Sequence, residues 1–134
     1  MKKFTKMCAV AACALFAGTA TVSAEDYVWK SVTAGDATTY GIRSDGSLWS
    51  WGWNEKGQSG NGVSERTATP TLADGNRVWK KTVGGKAYGF FLAEDGSLWA
   101  AGTATNGVQG TNDGVDHKVL TRIGTDNDWA DMAF

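Results

Sequence analysis

Apolar and polar residues along most of this chain alternate in short runs instead of recurring every three or four positions, which is the pattern of β-strands. Trp29-Lys30-Ser31-Val32 is one such run, closed by a turn at Gly35. Thr38 to Ile42, with its β-branched and aromatic residues, is a second. Ser44-Asp45-Gly46 then reads as a turn in which the glycine adopts a left-handed backbone without steric cost. Ser47 to Trp51 returns as the partner strand, with Trp49, Trp51 and Trp53 predicted on one face and Leu48 and Ser50 on the other. A Gly-rich loop from Gly52 to Gly62 leads to a fourth short run near Thr69 to Leu72. Pro70 suits an edge strand there, since it has no N–H to give to a ladder. Helical periodicity is confined to the N-terminal segment.

This four-strand pattern repeats. Shifted by 50 residues, Val28-Trp29-Lys30 falls on Val78-Trp79-Lys80, and Trp79 falls on Trp129. Gly35 falls on Gly85, and Asp45-Gly46-Ser47-Leu48-Trp49 falls intact on Asp95-Gly96-Ser97-Leu98-Trp99. Gly52, Gly57 and Gly60 fall on Gly102, Gly107 and Gly110, so that 14 of 50 positions are identical between residues 28–77 and 78–127. A fixed period of this length with Gly and aromatic landmarks is the signature of propeller blades. The expected fold is therefore an all-β propeller fragment of two repeats, with the start of a third at 128–134.

The first 24 residues are read as a signal peptide, removed between Ala24 and Glu25. Lys2, Lys3 and Lys6 precede an apolar run from Met7 to Ala17, which is too short to span a bilayer. Val22-Ser23-Ala24 then supplies the small residues of a cleavage site. Val10-Ala11-Ala12-Cys13 also resembles a lipoprotein box, a rival reading that would anchor the chain at Cys13. Cleavage at Ala24 removes Cys8 and Cys13, so the exported chain holds no disulfide and depends on packing or association. Ten basic and fourteen acidic residues remain, a net charge of −4. That balance argues against nucleic acid and anionic membrane surfaces as partners. No second stretch is long and apolar enough for a membrane helix.

The order of landmarks resembles the regulator of chromosome condensation repeat, a family of seven-bladed β-propellers. The resemblance is carried by Trp29, Ala34-Gly35, Ile42, Asp45-Gly46, Leu48-Trp49, Trp51-Gly52, Asn54, Gly57-Gln58, Gly60 and Pro70. The family's frequent His after Ala-Gly is Thr38 and Tyr88 here, and its Leu in Gly-Gln-Leu-Gly is Ser59 and Gln109. In the second unit Trp51, Asn54 and Pro70 give way to Ala101, Ala104 and Leu120, which suggests looser packing there. Family members include a nuclear exchange factor for a small GTPase and bacterial secreted propellers. The resemblance, taken with the export signal, implies a binder of the second kind.

Chemistry-bearing clusters are scarce in the sequence. His117 stands alone in a polar loop and reads as solvated. Asp126, Asp128 and Asp131 start like a calcium loop but lack its later Gly and Glu. Asp45 and Asp95 recur with the repeat and read as turn residues, not as a catalytic pair. No cofactor, metal site or enzymatic activity is expected. The recurring Trp29, Trp79, Trp129, Trp49 and Trp99 read as blade packing. Trp53, opposite Thr103 in the next repeat, opens a loop with Asn54, Glu55 and Lys56, and is a candidate contact residue. Thr103, Thr105 and Asn106 take the corresponding loop in the second unit. The expected role is binding of a protein partner through these rim loops; a glycan-binding surface and a structural fragment are the alternatives. Two units fall short of the roughly four to eight blades with which propellers close. Either further repeats or self-association is therefore expected.

Overall fold

A computed structural model describes residues 28–133. The expected export signal, with its expected cleavage between Ala24 and Glu25 and the alternative at Cys13, lies outside the described residues. Eight strands form two four-stranded antiparallel meanders. The first contains β1 (Trp29–Ala34), β2 (Thr38–Arg43), β3 (Leu48–Gly52) and β4 (Thr67–Asp74); the second contains β5 (Trp79–Gly84), β6 (Tyr88–Ala93), β7 (Leu98–Gly102) and β8 (His117–Ile123). The fourth strand is longer than its sequence pattern suggested, because Thr67 and Asp74 both find partners on β3, at Gly52 and Leu48. It is an edge strand, as Pro70 requires. A single 3₁₀ turn, Thr105–Gly107, is the one helical element among the described residues.

The Asp-Gly turns are built identically. In each, the Asp45 or Asp95 carboxylate accepts the backbone N–H (2.9 Å) and the hydroxyl (2.6 Å) of the serine two residues on. The serine Oγ in turn accepts the indole N–H of Trp49 or Trp99 at 2.8 Å. Gly46 and Gly96 supply the positive φ of the turn. The aspartates are thus turn residues, and the third residue of the motif fixes a tryptophan.

Each sheet has a front and a back. Trp29, Val32, Gly41, Trp49 and Trp51 share the front of the first sheet through the β1–β2–β3 register, and Thr33, Tyr40, Ile42, Leu48 and Ser50 share its back. The back of the first sheet packs on the front of the second. Tyr40 meets Phe91 edge-on at 5.2 Å between ring centroids, and Phe91 meets Trp79 at 6.1 Å. Tyr40, Ile42, Leu48, Trp79, Phe91, Ala93 and Ala101 make one buried cluster. The Trp79 N–H donates to Gly46 O (2.9 Å) and the Asp36 N–H to Gly85 O (3.2 Å), tying the sheets at both ends.

The second repeat is not looser than the first. Its core keeps an aromatic triplet by moving one ring: Trp29, Trp49 and Trp51 cluster in the first sheet, and Trp79, Trp99 and Phe91 in the second. Phe91 stands where Gly41 stands, so the ring lost at Ala101 is replaced from the neighbouring strand. The recurring tryptophans also differ in environment. Trp79 is fully buried, whereas Trp29 is 36% and Trp129 43% exposed.

Candidate functional site

An antiparallel meander places its first and third turns at one end. The β1–β2 turn and the loop at 53–66 therefore share an end with the β5–β6 turn and the loop at 103–116. The contacts agree: the Trp53 N–H donates to Ala37 O at 2.8 Å and the Thr103 N–H to Ala87 O at 2.9 Å. Trp53, Glu55, Lys56, Thr103, Thr105 and Asn106 thus gather at one rim. Trp53 lies just past the end of β3, half-buried, with its carbonyl accepting the Thr38 hydroxyl at 2.6 Å. Glu55, Lys56, Thr105 and Asn106 are exposed.

Asn54, expected among the contact residues, is instead buried. Its amide donates to Val63 O (3.0 Å) and Glu65 O (3.2 Å), and its oxygen accepts the Ser59 N–H at 2.9 Å. Three backbone groups of the loop thus find their partner in one buried amide side chain. It holds the loop rather than facing a ligand.

The second loop reaches the same rigidity with other residues. Ala104 cannot do the work of Asn54, and Asp116, from the far end of the loop, accepts the Ala104 N–H (2.8 Å) and the Thr103 hydroxyl (3.1 Å). Thr103 is therefore engaged within the loop. Gln109 is buried, donating to Gly102 O at 2.6 Å and meeting His117 Nδ1 at 2.7 Å. The His117 Nε2 lies 3.0 Å from Asp113. His117 is accordingly not a solvated loop residue: it opens β8 and braces the loop before it. Only the carboxylates' place in space reveals this, since Asp113, Asp116 and Gln109 have no recurring position in the repeat.

The two repeats also lock at this rim. Gly62 donates its N–H to Lys118 O (2.7 Å), Leu120 donates to Gly60 O (3.2 Å), and Asn61 bridges Val119. The first loop thereby extends the second sheet beyond β8 and covers part of that edge. Between the β1–β2 and β5–β6 turns lies an open cleft of about 460 Å³, lined by Asp36, Gly84, Gly85 and Lys86. Of these residues the sequence marked only Gly85, as a landmark of the repeat.

Electrostatically the structure leans on carboxylates. The Ser97 hydroxyl and N–H, with Arg122 and Arg77, hold Asp95 below the usual carboxylate range. Burial pushes Asp45 up, but the Ser47 hydroxyl and N–H, with Arg43, outweigh it and the net shift is down. The Val115 N–H and Thr111 hydroxyl lower Asp113, the Ala104 N–H and Thr103 hydroxyl lower Asp116, and the Lys81 ammonium lowers Asp131. A group whose folded pKa is depressed binds fewer protons when folded, so its stabilisation is present above the unfolded pKa and lost as pH falls through the folded one. The urea midpoint is therefore expected to stay level down to the unfolded carboxylate value of about 4 and to drop steadily below it. Asp95→Asn is expected to flatten that drop; an unaltered acid limb in the variant would disprove the assignment.

Among the described residues, no group of three His, Cys, Asp or Glu side chains could hold a metal ion. The aspartates 126, 128 and 131 do not form one, and Asp131 pairs with Lys81 at 2.5 Å. No described helix is long and apolar enough to cross a membrane.

Two consecutive four-stranded meanders, the first packing its back on the front of the second, define a β-propeller repeat protein. Family comparison agrees: the regulator of chromosome condensation (RCC1) repeat matches residues 29–58 in one form and 45–92 in another. Residues 29–92 thus carry the regulator of chromosome condensation repeat. It is similar to Protein RCC2 of Homo sapiens, 42% identical over 48 residues, covering 34% of this chain and 9% of that protein. The Protein RCC2 homolog of Danio rerio is 50% identical over 34 residues, covering 25% of this chain and 7% of that protein. Human WBSCR16 superposes with a TM-score of 0.66 at 20% identity, over 76% of this chain and 27% of its own. Prp20p from Saccharomyces cerevisiae, whose structure was described with its binding to Gsp1p and histones, superposes at 0.57 and 20% identity, over 71% and 26%. The chain thus spans less than a tenth of the curated relatives and about a quarter of the solved structures it matches.

Proposed function

We infer that this chain is an exported, non-enzymatic binding module that contacts a protein partner through the loops at one rim of its blades. One observation carries this reading. Two long loops, 53–66 and 103–116, are held at the same end by the buried side chains of Asn54 and Gln109, and the first also by backbone bonds to β8, so that Trp53, Glu55, Lys56, Thr105 and Asn106 are displayed on a fixed frame. Loops ordered before binding lose little entropy when a partner arrives, which favours affinity. A half-buried tryptophan beside exposed charged residues is the composition of a contact hot spot. Prp20p, a similar propeller, binds the proteins Gsp1p and histones, which supports the class of partner and not its identity. The acidic balance of residues 25–134 favours a partner with basic groups at its surface.

A photo-crosslinking residue placed at Glu55 is expected to capture a discrete protein partner, and the same residue at Asp126, on the opposite end, is not. Trp53→Ala is expected to weaken the captured complex by about tenfold or more, the usual cost of losing an aromatic anchor, with an unchanged circular-dichroism spectrum. Equal capture from both ends, or full affinity in the variant, would refute the rim site; binding only to immobilised glycans would replace the protein partner with a sugar. The proposed export is read separately from the N-terminus of the product: Glu25 supports it, and a lipidated Cys13 would replace it with membrane anchoring.

A further inference from the structure

The interface between the two sheets uses a set of positions that this chain presents a second time, at its two ends, with altered residues. On the front of the second sheet, Thr82 is 1% exposed and Trp79 fully buried beneath the first sheet. The equivalent front of the first sheet carries Val32, 52% exposed, and Trp29, together with Trp49 and Trp51. It has the build of a covered face, and no sheet among the described residues lies upon it.

We propose that this Trp29 face docks onto the back of the second sheet in another copy of the chain, repeating the internal junction between molecules. The substitutions across the repeat are matched for such a junction. Inside the chain, Thr33 on the back of the first sheet faces Thr82 on the front of the second, hydroxyl to hydroxyl at 2.5 Å. The position equivalent to Thr33 is Val83, and the position equivalent to Thr82 is Val32. A polar pair inside the molecule thus becomes an apolar pair between molecules. Likewise Tyr40 meets Phe91 inside, whereas between copies Phe90 would meet the Trp29 ring, which lies over Gly41. A front built for an unrelated partner had no reason to change in step with the chain's own back. Ala34 stands where Gly84 stands, so its Cβ sets the two sheets slightly wider at that end.

The receiving surface carries its own cover. Trp129 repeats Trp79, and its N–H donates to Gly96 O at 3.2 Å as that of Trp79 donates to Gly46 O at 2.9 Å. Lys80 Nζ reaches Ala130 O at 2.9 Å and Lys81 reaches Asp131 at 2.5 Å. Residues 129–131 therefore lie where the first strand of an arriving copy must lie. Docking displaces this strap, whose side-chain ties are exposed ion-pair and carbonyl contacts of small individual strength.

The test is sedimentation velocity on the chain from Glu25 onward, which contains every described residue. The unaltered chain is expected to associate as concentration rises. Val32→Lys and Val83→Glu, each at a position away from the buried cluster, are expected to lower the association constant at least about tenfold while circular dichroism stays native. Mixing the two variants leaves one junction unaltered, Val32 of the Val83→Glu chain on Val83 of the Val32→Lys chain, and gives a heterodimer. Trp129→Ser loosens the strap and strengthens self-association. A wild-type chain monomeric at every concentration overturns the proposal. So does association lost in Val32→Lys but kept in Val83→Glu, which would mean two Trp29 faces meeting symmetrically, and so does a mixture that fails to form the heterodimer. Unchanged association in Trp129→Ser overturns the displacement of the strap.

Discussion

Trp79→Ala is expected to bring the chain to the edge of unfolding, while the same change at Trp29, its counterpart 50 residues earlier, is expected to be mild. Trp79 is fully buried, stacked edge-on against Phe91 and Trp99, and its indole N–H donates to Asp74 at 3.0 Å. Truncating a core tryptophan costs about 3–5 kcal/mol. Asp74, 8% exposed, would also lose its buried donor and keep only its contacts to Asn76 and Arg77. Small domains hold only about 5–15 kcal/mol in all, so a large share of the stability goes with one side chain. Trp29 is partly exposed and has no second sheet above it, so its truncation removes contacts with Trp49, Trp51 and Arg43 without opening a closed cavity. Urea unfolding followed by circular dichroism measures both. Equal losses at the two positions would show that the sheets do not pack as described.

Gly102→Ala is expected to rank beside it. Gly102 sits at φ +107, a backbone conformation that L residues rarely adopt, and a Cβ there would lie 2.3 Å from Ala87 O. That oxygen is backbone and already accepts the Thr103 N–H at 2.9 Å, so it cannot swing aside as a side chain would. The strained conformation alone costs about 1–3 kcal/mol, and the clash adds to it by forcing apart the β6–β7 pair at the rim. Gly52 has the same geometry in the first sheet, at φ +105 with Ala37 O at 2.4 Å. A Gly102→Ala protein that keeps the wild-type melting temperature and loop protection in hydrogen exchange would contradict this account.

Much of this was legible in advance because the repeat states it twice. The Asp-Gly turn, the serine that follows and the tryptophan two residues later form a chain of short-range bonds, each within reach of its neighbours in sequence. Pro70 announced its edge strand by lacking a donor. The rim residues were harder to read. Asn54 looked like a loop residue free for contact, but its three backbone partners lie five to eleven residues away and become visible only when the loop is folded. His117 looked solitary because Gln109 and Asp113 carry no motif.

The sequence by itself determined the strands, their turns, the 50-residue unit and the propeller class, since each depends on local backbone preference or on alternation repeated at a fixed spacing. It could not assign different fates to equivalent residues. Trp29, Trp79 and Trp129 occupy one place in the pattern, yet one is buried and two are partly exposed. The ring lost at Ala101 returns from Phe91 on the adjacent strand. Burial is a property of what lies across from a residue, and only the packing of one sheet's back on the next one's front decides what that is.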